Sequence, residues 1–217
     1  MTMRLAVFDC DGTLVDGQAA VCEAMEIAFD RAALARPPRS AIRRIVGLSL
    51  PQAVRQLALD ASDADRALAV DAYRTAFRDS RTSGRLEEPL FDGIAGLLDR
   101  LVAAGWTLGV ATGKSDRGLA SCLAGHGIAD RFATLQTADR HPSKPHPAML
   151  EAALFEVGAA PGDAVMIGDT VFDVDMARAA GVRAIGVDWG YHAADELREA
   201  GAERVFSSPV ELGDYLV

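Results

Sequence analysis

Short apolar runs that stop abruptly at a polar residue recur along the chain, separated by stretches in which apolar residues return at every third and fourth position. The runs are "RLAVF" (4–8), "WTLGVAT" (106–112), "RFATLQTA" (131–138), "DAVMIGDT" (163–170) and "VRAIGV" (182–187). Nearly continuous apolar segments of this length are the pattern of strands covered on both faces of a parallel sheet. The intervening stretches "GIAGLLDRLVAAG", "DRGLASCLAGHG", "PAMLEAALFEVG" and "VFDVDMARAAG" each close on a glycine, as helices do. Strand alternating with helix predicts an α/β fold with a doubly wound parallel sheet.

One region breaks this rhythm. From about Gln18 to Arg85 the pattern is helical throughout, in "AAVCEAMEIAFDRAAL", "AIRRIV", "LPQAVRQLAL" and "SDADRALAVDAYRTAFRDS", with no strand-like run. Pro51 suits the first turn of a helix and Ser62 an N-cap. The expected organisation is an α/β unit of residues 1–16 and 87–217 carrying a helical insert of residues 17–86. The chain crosses between them near Asp16–Gln18 and Gly84–Pro89.

With 217 residues, half of them hydrophobic, the chain has enough apolar material for a sizeable core. A formal net charge of −9 argues against nucleic acid and anionic membrane as partners. The expected partner is small, the expected assembly a monomer or homodimer. No apolar run reaches the roughly 18 residues a bilayer requires, and the first residues do not form a secretory signal, so a cytoplasmic location is expected. Cys10, Cys22 and Cys122 form no CxxC pair and read as buried thiols.

The chemistry lies where the predicted strands end, because open α/β sheets bind ligands at the carboxyl ends of their strands. The first strand ends in Asp9 and Asp11, the second in Thr112, Gly113 and Lys114, and "AVMIG" in Asp169, with Asp173 four residues later; Lys144 stands in the Pro-flanked loop "HPSKPHP". Carboxylates gathered in one place call for a divalent cation, and an all-oxygen ligand set favours Mg²⁺. A phosphate dianion approaching a carboxylate nucleophile needs that charge, a lysine and fixed donors to offset repulsion, and a second acid can protonate the leaving oxygen.

"DCDGTLVD", "ATGKS", "SKPHP" and "GDTVFD", in this order, resemble the four signature motifs of the haloacid dehalogenase-like (HAD) superfamily, and the helical insert resembles its C1-type cap. "GVDWGY" resembles the phosphoglycolate phosphatase branch. The resemblance implies a Rossmann-like core, a phosphomonoesterase and Mg²⁺. It implies that Asp9 is the nucleophile and Asp11 the general acid and base, with Thr112 and the Gly113 N–H on phosphate and Lys144 steadying the nucleophile. The metal would be held by Asp9, Asp169, the Asp11 main-chain carbonyl, and Asp173 directly or through water. The substrate implied is a small phosphorylated metabolite such as phosphoglycolate or a sugar phosphate. Dehalogenases of the family lack the second aspartate, which points this chain to phosphoryl chemistry.

Two departures stand out. Gly17 occupies a place where the family often has Ser or Thr, leaving the capping of the first insert helix open. "RRIVGLSL" resembles the family's specificity loop around Gly47 but lacks the Arg often found a few residues on in sugar-phosphate mutases, which disfavours a phosphomutase.

Simpler readings compete at several positions. An EF-hand fails on its glycine and glutamate positions, and "GVATGKS" is one residue short of a Walker loop, so Lys114 reads as a surface residue. A phospho-accepting receiver module would be about half as long and would lack both the insert and "GDTVFD". Arg43 and Arg44 suit a substrate carboxylate or a wet helix face equally. Asp175 reads as a helix-dipole partner. His126, His141, His146 and His192 share no ligand spacing and read as surface or loop residues, and Trp189 and Tyr191 are open between packing and function.

Overall fold

The computed structural model describes residues 3–217. Its centre is a six-stranded parallel sheet of β1 (Arg4–Phe8), β2 (Trp106–Thr112), β3 (Phe132–Thr137), β4 (Ala164–Gly168), β5 (Arg183–Val187) and β6 (Arg204–Phe206) in the order β3-β2-β1-β4-β5-β6. The chain leaves β1 for β2 and β3 on one side and returns across it to β4, which places the topological switch point at β1. The five longer strands follow the apolar runs closely. β6 has only three residues, too few to show a period, and was not expected from the sequence.

Side chains alternate across β1, so that Ala6 and Phe8 face one layer and Leu5 and Val7 the other. The first layer is α5 (Ile94–Ala103), α6 (Asp116–Gly125) and α10 (Pro209–Leu216), which bury Leu98, Leu119 and Leu212. The second is α7 (Ala148–Val157), α8 (Val171–Ala179) and α9 (Ala194–Ala200), which bury Leu150, Val174 and Leu197. Each fully buried side chain of this size contributes about 1.5–3 kcal/mol relative to exposure, which is why the central strands β1 and β4 carry no polar residue in their interiors.

Between β1 and α5 run α1 (Gln18–Arg31), α2 (Arg39–Arg44), α3 (Leu50–Leu57) and α4 (Asp63–Thr82). They enclose a separate cluster built on Met25, Phe29, Ile42, Val54 and Val70, onto which Phe172 and Tyr191 of the α/β part also pack. Ser62 caps α4 by accepting from the Asp65 N–H at 3.1 Å, and Pro51 sits in the first turn of α3, as expected. Gly17 gives α1 no side-chain cap; Asp16 Oδ1 accepts from the Gln18 N–H at 3.2 Å instead. The two connections to the insert lie side by side, with Asp16 N–H donating to Pro89 O at 2.8 Å and Val15 bridging antiparallel to Leu90. Cys10, Cys22 and Cys122 are free and buried. Among the described residues no helix is long and apolar enough to cross a membrane.

Candidate active site

Register fixes the first pair of carboxylates. Phe8 is the partner of Ile167 on β4, and the Asp9 N–H extends that pairing by donating to Ile167 O at 2.9 Å. Asp9 and Asp169 therefore emerge from neighbouring strands at the same end of the sheet. Thr112 ends β2, the other neighbour of β1, and Asp173 occupies the first turn of α8. Lys144 comes from the loop between β3 and α7 and is fully enclosed, with its Nζ 2.9 Å from Asp9 Oδ1 and 2.6 Å from Asp173 Oδ1.

Asp9, Asp169 and Asp173 each bring a carboxylate oxygen to within 4.8 Å of the others, and all three are buried. One ammonium cannot neutralise three carboxylates in a dry site, and the titration behaviour follows from that. Burial, opposed by Lys144 and reinforced by Asp173, pushes Asp9 up to about 7. Burial together with Asp9 and Asp173 holds Asp169 well above the usual carboxylate range. Burial alone would lower Lys144, yet Asp173 and Asp9 keep it above its ordinary value, so it stays charged.

The donor set fits a hard divalent cation. Asp9 Oδ1 accepts from the Cys10 N–H at 2.7 Å, whereas its Oδ2 is buried without any hydrogen-bond partner. Asp169 accepts one bond on each oxygen, from the Thr13 hydroxyl at 2.7 Å and the Tyr191 N–H at 2.9 Å, which leaves further lone pairs. Asp173 is the most occupied: Oδ1 serves Lys144, and Oδ2 accepts from the Thr170 N–H and hydroxyl in a capping box that starts α8. A buried carboxylate oxygen left without a partner and facing two further buried carboxylates suits a cation.

Asp11 stands apart from this group. Its Oδ1 lies 2.9 Å from Lys114 Nζ, which is also 2.5 Å from Glu88 Oε1. Lys114 is therefore not the surface residue its position suggested: its side chain is only 7% exposed, and two carboxylates offset the cost of burying it. The Thr112 hydroxyl accepts from the Lys114 N–H at 3.2 Å and shapes the turn around Gly113.

The insert closes over this turn. A side chain at Gly113 would run into the carbonyls of Gly47 and Leu48, so the two backbones approach as closely as glycine permits. Gly47 itself has φ of +98°, and a Cβ there would sit 3.3 Å from Thr170 Oγ1 and 3.7 Å from Asp9 Oδ2. Ser49 N–H donates to Ser143 Oγ at 2.8 Å, tying the insert to the loop that carries Lys144. Beside Asp11 and Gly113 the two parts enclose a cavity of about 440 Å³.

Arg43 and Arg44 do not line this cavity; Arg44 instead forms an exposed ion pair with Glu196 at 2.5 Å. Arg74, Arg78, Arg81 and Arg117 do line it, and none was singled out from the sequence, because arginines on a wet helix face carry no local signal. Thr13, Thr170 and Glu88 were likewise missed, although Thr13 and Thr170 stand inside the motifs. Tyr191 and Trp189 are built into the site, the latter donating from Nε1 to Thr13 O at 3.1 Å. His192 is not a surface residue: it is 3% exposed, accepts at Nδ1 from the Val171 N–H and contacts Arg44 O through Nε2. Asp175 remains at the surface, 3.9 Å from Arg178.

A parallel sheet with this switch point, four motifs converging on its carboxyl edge and a helical insert above them define a hydrolase of the HAD type. The chain belongs to the haloacid dehalogenase-like hydrolase family, which matches residues 6–187. It is 37% identical over 90% of its length to the "Probable phosphatase IndB" of Dickeya dadantii, covering 86% of that protein. It is 32% identical over 98% of its length to a phosphoglycolate phosphatase of Rhodospirillum rubrum, covering 90% of that protein. Among solved structures, a predicted phosphatase from Clostridium acetobutylicum superposes with a TM-score of 0.88 at 26% identity, covering 100% of this chain and 99% of that one.

Proposed function

We propose that the chain is a Mg²⁺-dependent phosphomonoesterase working through an aspartyl-phosphate on Asp9. The observation that carries this reading is the buried, unpartnered Asp9 Oδ2 beside Lys144 and Asp169, next to the Thr112–Gly113 turn. Residues 1–16 and 87–217 form the catalytic core and residues 17–86 a cap that supplies substrate choice.

In the first half-reaction the Asp9 carboxylate attacks phosphorus, the bond from phosphorus to the ester oxygen breaks, and the Asp11 carboxyl gives its proton to the departing alkoxide. In the second, the Asp11 carboxylate takes a proton from water as that water attacks phosphorus, which frees Asp9 and releases inorganic phosphate. The Thr112 hydroxyl and the Gly113 N–H hold the non-bridging oxygens, and Lys144 fixes the Asp9 carboxylate and balances part of the developing charge. Asp9, Asp169 and the Asp11 carbonyl would hold Mg²⁺, with Asp173 close by. The bound ion would supply the positive charge that allows a dianion to approach a carboxylate. The Gly47–Leu48 backbone, pressed onto Gly113, keeps bulk water from the phosphorylated aspartate.

The test is release of inorganic phosphate from p-nitrophenyl phosphate. Turnover is expected with Mg²⁺ and lost with excess chelator and in Asp9→Asn. Undiminished turnover in either case overturns the mechanism.

A further inference from the structure

The cavity beside Asp11 and Gly113 is cationic in a protein that is acidic as a whole. Five cationic side chains line it (Arg74, Arg78, Arg81, Lys114 and Arg117) against two carboxylates, Asp11 and Asp139, while the chain carries a formal charge of −9. Both carboxylates are engaged, Asp11 by Lys114 and Asp139 by the Asp116 N–H at 2.9 Å. Arg74 pairs with Asp71 at 3.5 Å, but among the described residues no carboxylate lies within 4.0 Å of Arg78, Arg81 or Arg117. The phosphoryl group is already provided for by Lys144, which does not line the cavity. The arginines are thus surplus to the phosphate and call for a second anion.

Arg81 adds an independent sign. Its Nε is buried without a hydrogen-bond partner, and the side chain reaches from α4 of the insert to the first turn of α6, where a Cβ on Gly118 would lie 3.9 Å from its Nη2. Arg81 and Arg117 therefore flank the cavity from its two walls. Apart from Ser49 and Ser115 the rest of the lining is apolar, aromatic or glycine. Tyr73 and Phe77 stack at 5.6 Å, and no Asn, Gln or His is present to read the hydroxyls of a sugar. A volume of about 440 Å³ accommodates far more than a two-carbon acid.

Building on the phosphomonoesterase reading, we infer that the substrate is the phosphomonoester of an organic acid with a flat apolar body. The body lies on Tyr73 and Phe77, and its carboxylate is held between Arg81 and Arg117 with Arg78 at the rim. Neutral sugar phosphates and bare phosphoglycolate each satisfy only part of this cavity.

The experiment compares four alkyl phosphates on the full chain with Mg²⁺: 4-carboxybenzyl phosphate, 4-carbamoylbenzyl phosphate, phosphoglycolate and glucose 6-phosphate. The first is expected to lead in kcat/KM by about tenfold or more, chiefly through KM, as a charge-assisted hydrogen bond predicts. In Arg81→Gln and in Arg117→Gln, on opposite walls, the preference for carboxylate over carboxamide is expected to fall about tenfold toward unity. A lead for glucose 6-phosphate or phosphoglycolate, or a carboxylate preference that survives both replacements, overturns the inference. Hydrolysis of p-nitrophenyl phosphate without any carboxylate preference sinks the substrate class alone. Failure to hydrolyse p-nitrophenyl phosphate at all sinks the phosphomonoesterase reading, and this inference with it.

Discussion

Lys114 Nζ lies 2.9 Å from Asp11 Oδ1 and thereby fixes the second aspartate of the first motif from the strand beside it. The same ammonium holds Glu88, which belongs to the connection leaving the insert, so one buried cation joins Asp11, the Thr112–Gly113 turn and the return crossing. Removing it leaves two carboxylates facing each other out of water.

Lys114→Met is expected to lose on the order of 3 kcal/mol in urea unfolding, the usual cost of stranding one side of a buried ion pair. Adding Glu88→Gln should restore part of that loss. Acting on Asp11 as a positioning residue, Lys114 is further expected to influence kcat more than KM, with a decrease of about 10- to 100-fold in Lys114→Met. Equal losses in both parameters would argue for a purely structural role.

Asp9 gives a prediction in the opposite direction. Its folded pKa, about 7, stands above the ordinary value of 3.8, so the folded state binds more protons than the unfolded one between those limits. The cation-free protein must then lose stability as pH rises through this window, with the whole penalty present above pH 7 and none below pH 3.8. Asp9→Asn is expected to abolish turnover and yet to stabilise the cation-free protein, by on the order of 1–3 kcal/mol at pH 8 and much less at pH 4. Thermal unfolding of both proteins across pH measures this, and a constant difference would refute it. Mg²⁺ should raise the melting temperature of the unmodified protein more than that of Asp9→Asn.

Gly113→Ala tests the closeness of the insert. The added methyl group meets the carbonyls of Gly47 and Leu48, which are backbone and cannot rotate aside. If the Thr112–Gly113 turn holds phosphate as proposed, a displacement near 1 Å there should reduce kcat/KM by about 100-fold. Little stability should be lost, because the contact joins two separately packed clusters. Comparable activity in the variant would mean that the insert does not bear on this turn during turnover.

Much of this was legible in the sequence because it is written in local pattern. Apolar runs ending in Asp9, Thr112 and Asp169 specify buried strands and the edge at which they stop, and glycine-closed helical periods specify the layers that cover them. The burial of Lys114 and His192 was not legible, since it depends on partners distant in sequence: Glu88 for the lysine, Arg44 and Val171 for the histidine. The arginines of α4 escaped for a related reason. On an isolated amphipathic helix Arg78 and Arg81 belong to the solvent side, and only the approach of α6 turns that side into the wall of a cavity. Strand β6 was lost to its shortness.

The bridge between Val15 and Leu90 has a consequence for how such a chain can change. The polypeptide departs for its helical excursion and comes back through a single doorway, with the two jambs already bonded to each other. Whatever is hung there leaves the order of the strands untouched, so a tight turn or an unrelated bundle could replace all four helices while the sheet and its aspartates keep their places. Chemistry and selectivity are thereby free to evolve on separate schedules.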